Sequence, residues 1–293
     1  MKSMIIIACV GAAVGVAQGQ TYVMGVASTN DAVHLFDATT GALFQQNFID
    51  LLAVGARTPK HALQVGNQIW VSDQLDDKIF RFDLSGSFIG EIGGALDNIK
   101  GMEVVGNQVW VTNAGSNNGA TGNSIVFIDS TSYAITGSVA TNGSLFDLIN
   151  YNGQILAGNI GNESLEVYDL SGNLVSTFVS SDGISGIDFP QQLFVRGNGN
   201  VLAAGFSTPS GVFEYDVFGN SLGIVAGLDR GPRGVLELLN GDVMWTTGTG
   251  FFVGETEVLG GSSGQYLSFV VIPAPGAMAL LGMGGLVAVR RRR

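Results

Sequence analysis

Apolar and polar residues alternate over short runs along most of the chain, and the runs return at a near-constant spacing. The clearest is Val65-Gly66-Asn67-Gln68-Ile69-Trp70-Val71-Ser72-Asp73. It reappears 40 residues later as Val105-Gly106-Asn107-Gln108-Val109-Trp110-Val111-Thr112-Asn113, and more weakly as Tyr151-Asn152-Gly153-Gln154-Ile155-Leu156-Ala157-Gly158-Asn159. Period-two alternation around a Gly/Asn pair predicts strand, tight turn, strand, because these residues accept the positive φ that short hairpins need.

A second phrase, an alternating strand that ends in Asp before a Gly turn, recurs between the copies of the first. It is Ala-Val-His-Leu-Phe-Asp at 32–37, Lys-Ile-Phe-Arg-Phe-Asp at 78–83, Leu-Glu-Val-Tyr-Asp at 165–169 and Val-Phe-Glu-Tyr-Asp at 212–216, with a divergent copy at 125–129. The markers Asp37, Asp83, Asp129, Asp169 and Asp216 are separated by 46, 46, 40 and 47 residues. A four-stranded propeller blade takes roughly 40–50 residues. A sixth unit opens at 236–245, and its second half is read at 251–255 and 266–271. The expectation is an all-β, six-bladed β-propeller with four-stranded blades over residues 20–271, each blade running from strand A to strand D. No strand A precedes Tyr22, so the last unit is expected to supply the missing pairing, through a strand the sequence does not identify. The marker aspartates suit Asx turns better than calcium loops, since no Asp-x-Asp-x-Asp-Gly pattern is present. Trp70, Trp110 and Trp245 hold one register and are read as packing between blades.

Composition narrows the function classes. Apolar residues make up 46% and charged residues 13% of the chain, which excludes a disordered protein. All 24 acidic residues lie between Asp31 and Glu257, with only eight basic ones, so this body carries −16. Such a surface disfavours nucleic acid as a partner.

The two ends read as targeting segments. Residues 1–19 have Lys2, an apolar run and the small-x-small site Ala17-Gln18-Gly19 of a secretory signal peptide. The only cysteine, Cys9, would leave with it, so the mature chain holds no disulfide. Residues 272–293 begin Ile272-Pro273-Ala274-Pro275-Gly276 and continue as a 13-residue apolar run to Val289, followed by Arg290, Arg291, Arg292 and Arg293. The arginines would stay cytoplasmic and leave the body outside. This tail resembles the PEP-CTERM sorting signal in Pro273, Pro275, the Leu- and Gly-rich run 280–286 and the four arginines, with Ala274 where that family carries Glu. The resemblance implies a bacterial exported protein of the cell envelope, handled by an exosortase-type sorting enzyme and held, transiently or stably, by a transmembrane helix.

The Gly-Asn-x-hydrophobic-Trp-Val-x-Asp and strand-Asp-x-x-Gly phrases resemble the NHL and gluconolactonase-like six-bladed propellers. In the latter, the resemblance implies a metal at the channel mouth held by carboxylate and Asn ligands. The matching ends of strands B are Ser28, Asp73, Asn113, Asn159, Gly205 and Thr247. Asp73, Asn113 and Asn159 are the candidate contacts for Ca2+, another divalent cation or a small ligand; the competing reading makes them turn caps. The D–A loops are expected to add His61, Asp147, Arg230 and Arg233. His61 with Asp73 would be a base for lactone hydrolysis, and Arg233 a contact for an anionic sugar. No nucleophile elbow, zinc-protease motif, P-loop or dinucleotide fingerprint occurs. The expected function is a surface or extracellular-matrix binding scaffold for a polysaccharide or surface protein. The alternative is a metal-dependent lactonase-like hydrolase.

Overall fold

The structure, a computed structural model, describes residues 19–181 and 186–274. The leader, apart from Gly19, and the tail from Pro275 onward, with its four arginines, lie outside the described residues. Among the described residues no helix is long and apolar enough to cross a membrane. The propeller body spans Thr21–Val270.

Among the described residues, twenty-four strands form six four-stranded antiparallel sheets. Blade 2 is β4 (Pro59–Val65), β5 (Gln68–Asp73), β6 (Lys78–Asp83) and β7 (Phe88–Ile92). Blade 3 is β8 (Ile99–Val105), β9 (Gln108–Asn113), β10 (Ser124–Asp129) and β11 (Ile135–Ala140). Blade 4 is β12 (Leu145–Tyr151), β13 (Gln154–Asn159), β14 (Ser164–Tyr168) and β15 (Leu174–Ser180). Blade 5 is β16 (Pro190–Val195), β17 (Val201–Gly205), β18 (Gly211–Tyr215) and β19 (Ser221–Ala226). Blade 6 is β20 (Val235–Glu237), β21 (Val243–Thr247), β22 (Gly250–Val253) and β23 (Thr256–Gly260). Blade 1 is composite. Its β1 (Gln20–Ala27), β2 (Ala32–Asp37) and β3 (Leu43–Asp50) are completed by β24 (Gly264–Ile272), which pairs beside β1 as the inner strand.

This corrects one element of the sequence reading. Residues 266–271 belong to blade 1, and the fourth strand of blade 6 is β23. The alternation of β24 fits either sheet; ring closure selects blade 1, because β1 would otherwise present an unpaired edge to the channel.

The repeated phrases now have physical roles. Asp37, Asp83, Asp129, Asp169 and Asp216 each accept backbone N–H bonds from residues two to four positions on, closing the C–D turn. In the A–B turns Gly66 and Gly106 sit at φ 58° and 63°. The tryptophans are buried between blades. Trp70 packs with Ile99, Met102 and Val111 of blade 3, and Trp110 with Leu145, Leu148 and Ile155 of blade 4. Their indole N–H groups make the same bond, to the Oε1 of Gln68 and of Gln108 two residues earlier. Trp245 packs with Leu202, Ala204 and Val212 of blade 5.

Polar staples fasten each blade to the next. The residue before the end of strand B carries a hydroxyl in three blades. Ser72 donates to the Lys100 carbonyl at 2.6 Å, Thr112 to the Phe146 carbonyl at 3.4 Å and Thr246 to the Gln265 carbonyl at 2.6 Å. Blade 4 has Gly158 there, and a Cβ would come within 3.4 Å of the Gln191 carbonyl. Deeper in the channel, Gln192 of β16 accepts the N–H groups of Val235 (2.9 Å) and Leu267 (2.8 Å) and donates to the Leu267 carbonyl. One side chain thus ties β16 to β20 and to the closing strand. Tyr266 of β24 reaches the Phe146 carbonyl of β12 at 3.1 Å.

Replacing Gln192 with Ala strands two buried N–H groups, each costing about 1–3 kcal/mol. Chemical denaturation of Gln192→Ala is expected to show a stability loss of about 2–5 kcal/mol, larger than that of the exposed control Lys78→Gln.

Candidate functional site

The B–C and D–A loops open on one face, where residues of β4, β12, β16 and β24 and of the adjoining loops line a cavity of about 450 Å³. Strand order alone does not decide what faces this cavity. In blades 2 to 5, strand A bulges against strand B near its start, with register shifts between Pro59 and His61, Ile99 and Met102, Leu145 and Asp147, and Pro190 and Leu193. A bulge re-aims the extra residue. The residues in these bulges include Lys60, Lys100, Phe146 and Gln191, and Lys60, Phe146 and Gln191 line the mouth.

The lining falls into two arcs. On one side run aromatic rings: Phe146 and Phe189 have centroids 5.0 Å apart, and Phe189 and Phe206 5.7 Å. A cation sits at each end of this arc, Lys100 Nζ 4.5 Å from the Phe146 ring centre and the Arg233 guanidinium 5.5 Å from that of Phe206. Lys60 belongs to the other arc. Its ammonium donates to Gln265 Oε1 at 2.9 Å, and Arg233 donates to Ser263 Oγ at 2.7 Å. Lys100 is buried and donates to the backbone and side-chain oxygens of Asn98.

Among the described residues, none of these three cations forms an ion pair; the pairs present join Arg57–Asp76, Lys78–Glu91, Arg196–Glu214, Arg196–Glu237 and Arg230–Glu255. Burial lowers Lys60 to about 8, with the Arg233 charge adding to the effect and Asp73 opposing it. Burial lowers Lys100 to about 7, helped by Lys60 and opposed by Asp97. Desolvation also lowers Arg233. Burial drives the Asp147 carboxyl well above its ordinary value, and among the described residues it forms no ion pair with these cations. Gln191 is buried in the mouth wall, and among the described residues its Oε1 receives no hydrogen bond.

The candidates named from sequence have distinct fates. Asp73 is buried at the end of β5, where Oδ2 accepts the Arg57 and Thr58 N–H groups and Oδ1 those of Leu75 and Asp76. Asn113 accepts the Asp97 N–H and donates to the Gly115 and Thr121 carbonyls. Asn159 accepts the Gly161 and Asn162 N–H groups and donates to Asn142 and Glu166. All three side chains are engaged in holding loops. Among the described residues no group of three or more His, Cys, Asp or Glu is arranged to hold a metal ion.

His61 and Asp147 lie on the inner strands β4 and β12, not in the D–A loops as expected. His61 accepts the Met102 N–H through Nδ1, stacks edge-on against Tyr266, and is lowered to about 3 by burial. His61 and Asp73 therefore take different partners. Arg230 turns outward over the rings of Trp245 and Phe252. Arg233 reaches the mouth. Lys60, Lys100, Phe146, Phe189, Phe206 and Gln191 went unnoticed in the sequence. The usable signal was register: Lys60, Lys100, Phe146 and Gln191 each follow the residue paired with the end of strand B.

No protein-family model matches the chain, and no curated protein sequence matches it. Solved structures do. The nidogen/laminin complex is similar with a TM-score of 0.69 and 11% identity, covering 87% of this chain and 100% of that one. A catalytically inactive variant of virginiamycin B lyase from Staphylococcus aureus, solved with quinupristin, is similar with a TM-score of 0.60 and 12% identity, covering 88% and 94%. Hydrazine synthase of Kuenenia stuttgartiensis is similar with a TM-score of 0.51 and 16% identity over 66% of this chain, which spans 57% of that protein's chain. At these identities the likeness is one of fold alone, among proteins whose names describe unlike activities.

Proposed function

We propose that this protein is an exported, envelope-associated binding scaffold that captures an anionic ligand at the channel mouth. One observation carries the reading: Lys60 and Arg233 line the mouth, the buried Lys100 lies behind it against the Phe146 ring, and among the described residues none of the three is in an ion pair, in a body of net charge −16. Burying a cation is costly unless something compensates it. Three together are stabilised by an anion that arrives from outside. The cavity is also lined by polar groups, among them Lys60, Gln191, Arg233, Ser263 and Gln265, which suits a small-ligand site. Export and sorting rest on the residues of the leader and tail.

Calorimetric titration with sulfate, a simple anion, tests the mouth. Protonated lysine attracts the anion, and Lys100 and Lys60 lose their protons near pH 7 and 8. Affinity should therefore fall as pH rises from 6 to 9.5, by about tenfold for each charge-assisted hydrogen bond lost, with residual binding through Arg233. Affinity independent of pH and unchanged in Arg233→Gln would sink the proposal.

For Asp73→Asn, the expected effect is on stability. The amide replaces an acceptor of four N–H groups and turns a donor toward two of them, which should cost about 2–3 kcal/mol in chemical denaturation. A Ca2+ affinity in the native protein that Asp73→Asn abolishes would instead favour the metal-dependent hydrolase.

Mass spectrometry of the mature protein from its native host is expected to find Gln20 at the N-terminus and a C-terminus near Pro275. An intact Arg293 would mean that the tail is retained as an anchor.

A further inference from the structure

We infer that the ligand of the mouth is an acidic sugar, a pyranose bearing a carboxylate, bound with its C–H face on the phenylalanine arc and its carboxylate on Arg233 and Lys60. This inference rests on the anion-binding reading above and adds the chemistry of the remaining lining.

A bare inorganic anion has no use for three phenylalanines. Phe146, Phe189 and Phe206 form a continuous aromatic arc, and Phe206 is 37% exposed, an apolar surface turned toward the opening. A fatty acid would need an apolar tunnel, but below the mouth the channel holds Gln192, Asp147, His61 and Tyr266. An aromatic carboxylate would satisfy the cations and the rings but would leave unused the polar groups between them. Those groups are specific. Among the described residues Gln191 Oε1 is a buried acceptor without a donor, and such groups are costly until a partner supplies a proton. Gln265 holds Lys60 and Ser28, and Ser263 holds Arg233, so the donors for a carboxylate are fixed in place beforehand.

A sugar acid matches each part. Its carboxylate takes the planar guanidinium and the ammonium, its axial C–H groups take the rings, and a hydroxyl donates to Gln191. A cavity of about 450 Å³ lies in the range of small-ligand sites, roughly 300–1,000 Å³, and it opens to solvent, so a chain end of a longer polymer fits as well as a free oligosaccharide.

The test is calorimetric titration at pH 6.5 with trigalacturonate, its methyl ester, galactotriose, benzoate, polygalacturonate and sulfate. Trigalacturonate is expected to bind about tenfold or more tightly than the ester, galactotriose, benzoate or sulfate. Arg233→Gln and Lys60→Gln should each weaken trigalacturonate about tenfold. Phe189→Ala and Gln191→Leu should weaken trigalacturonate and leave sulfate unchanged. Lys78→Gln, whose side chain pairs with Glu91 on an outer strand, is the control. Comparable molar affinities for trigalacturonate and polygalacturonate chain ends would place the site at polymer termini, and binding to trigalacturonate alone would assign a free oligosaccharide; both support the acidic sugar. Sulfate or benzoate binding as tightly as trigalacturonate would overturn the sugar while leaving the anion mouth in place. No binding of any anion by a protein with native circular dichroism would overturn both.

Discussion

The constraint on which the molecule depends is closure of the inner ring. Six innermost strands meet around one channel, and the chain must return after blade 6 to lay β24 beside β1. With no disulfide available to the body, closure relies on strand pairing and on side chains that cross the channel. Gln192 joins three of the six inner strands, and Tyr266 reaches from the closing strand to β12 on another blade. The apolar cores between blades, such as those around Trp70 and Trp110, can form from residues close in sequence. The ring is a non-local structure, and its polar contacts are formed only when all blades are present.

The same ring builds the mouth. The bulge near the start of β4, β8, β12 and β16 is a local departure from the ladder, repeated four times. The staples from Ser72 and Thr246 end on the carbonyls of Lys100 and Gln265, so the bonds that lock neighbouring blades also set the backbone of mouth residues. Blade-to-blade stability and ligand geometry are in this way one set of interactions. Variation of a single repeat position, from Lys to Phe to Gln, changes the chemistry of the face without touching the architecture.

Electrostatics gives the mouth its sign. The body is strongly acidic, yet its cations are unevenly used. Arg196 clamps Glu214 and Glu237, and Lys78 pairs with Glu91, while among the described residues Lys60, Lys100 and Arg233 form no ion pair. Burial raises the Asp147 carboxyl well above its ordinary value, and among the described residues it pairs with none of them. Under the proposed function, the acidic surface would carry a local cationic patch at the mouth, where an anion would be drawn.

What was legible in the sequence follows from the range of each interaction. Hairpin turns, Asx turns and the register of the tryptophans depend on residues a few positions apart, so Gly66, Asp83 and Trp70 announced the blades by themselves. Asp73, Asn113 and Asn159 were equally visible because they repeat, but repetition marked a shared structural duty, the capping of loops. The closing strand and the mouth were not legible. Residues 264–272 alternate like any strand, and only the need to cover the edge of β1 assigns them to blade 1. Lys60 and Lys100 look like ordinary strand residues until a bulge displaces them, and Phe189 and Phe206 flank β16 and β17, outside the strands whose alternation the sequence shows. The repeat, the blade count and the turns were readable from residues alone, since they follow from local backbone preferences. Which residues of distant blades face each other was settled in three dimensions, because that requires the ring to close.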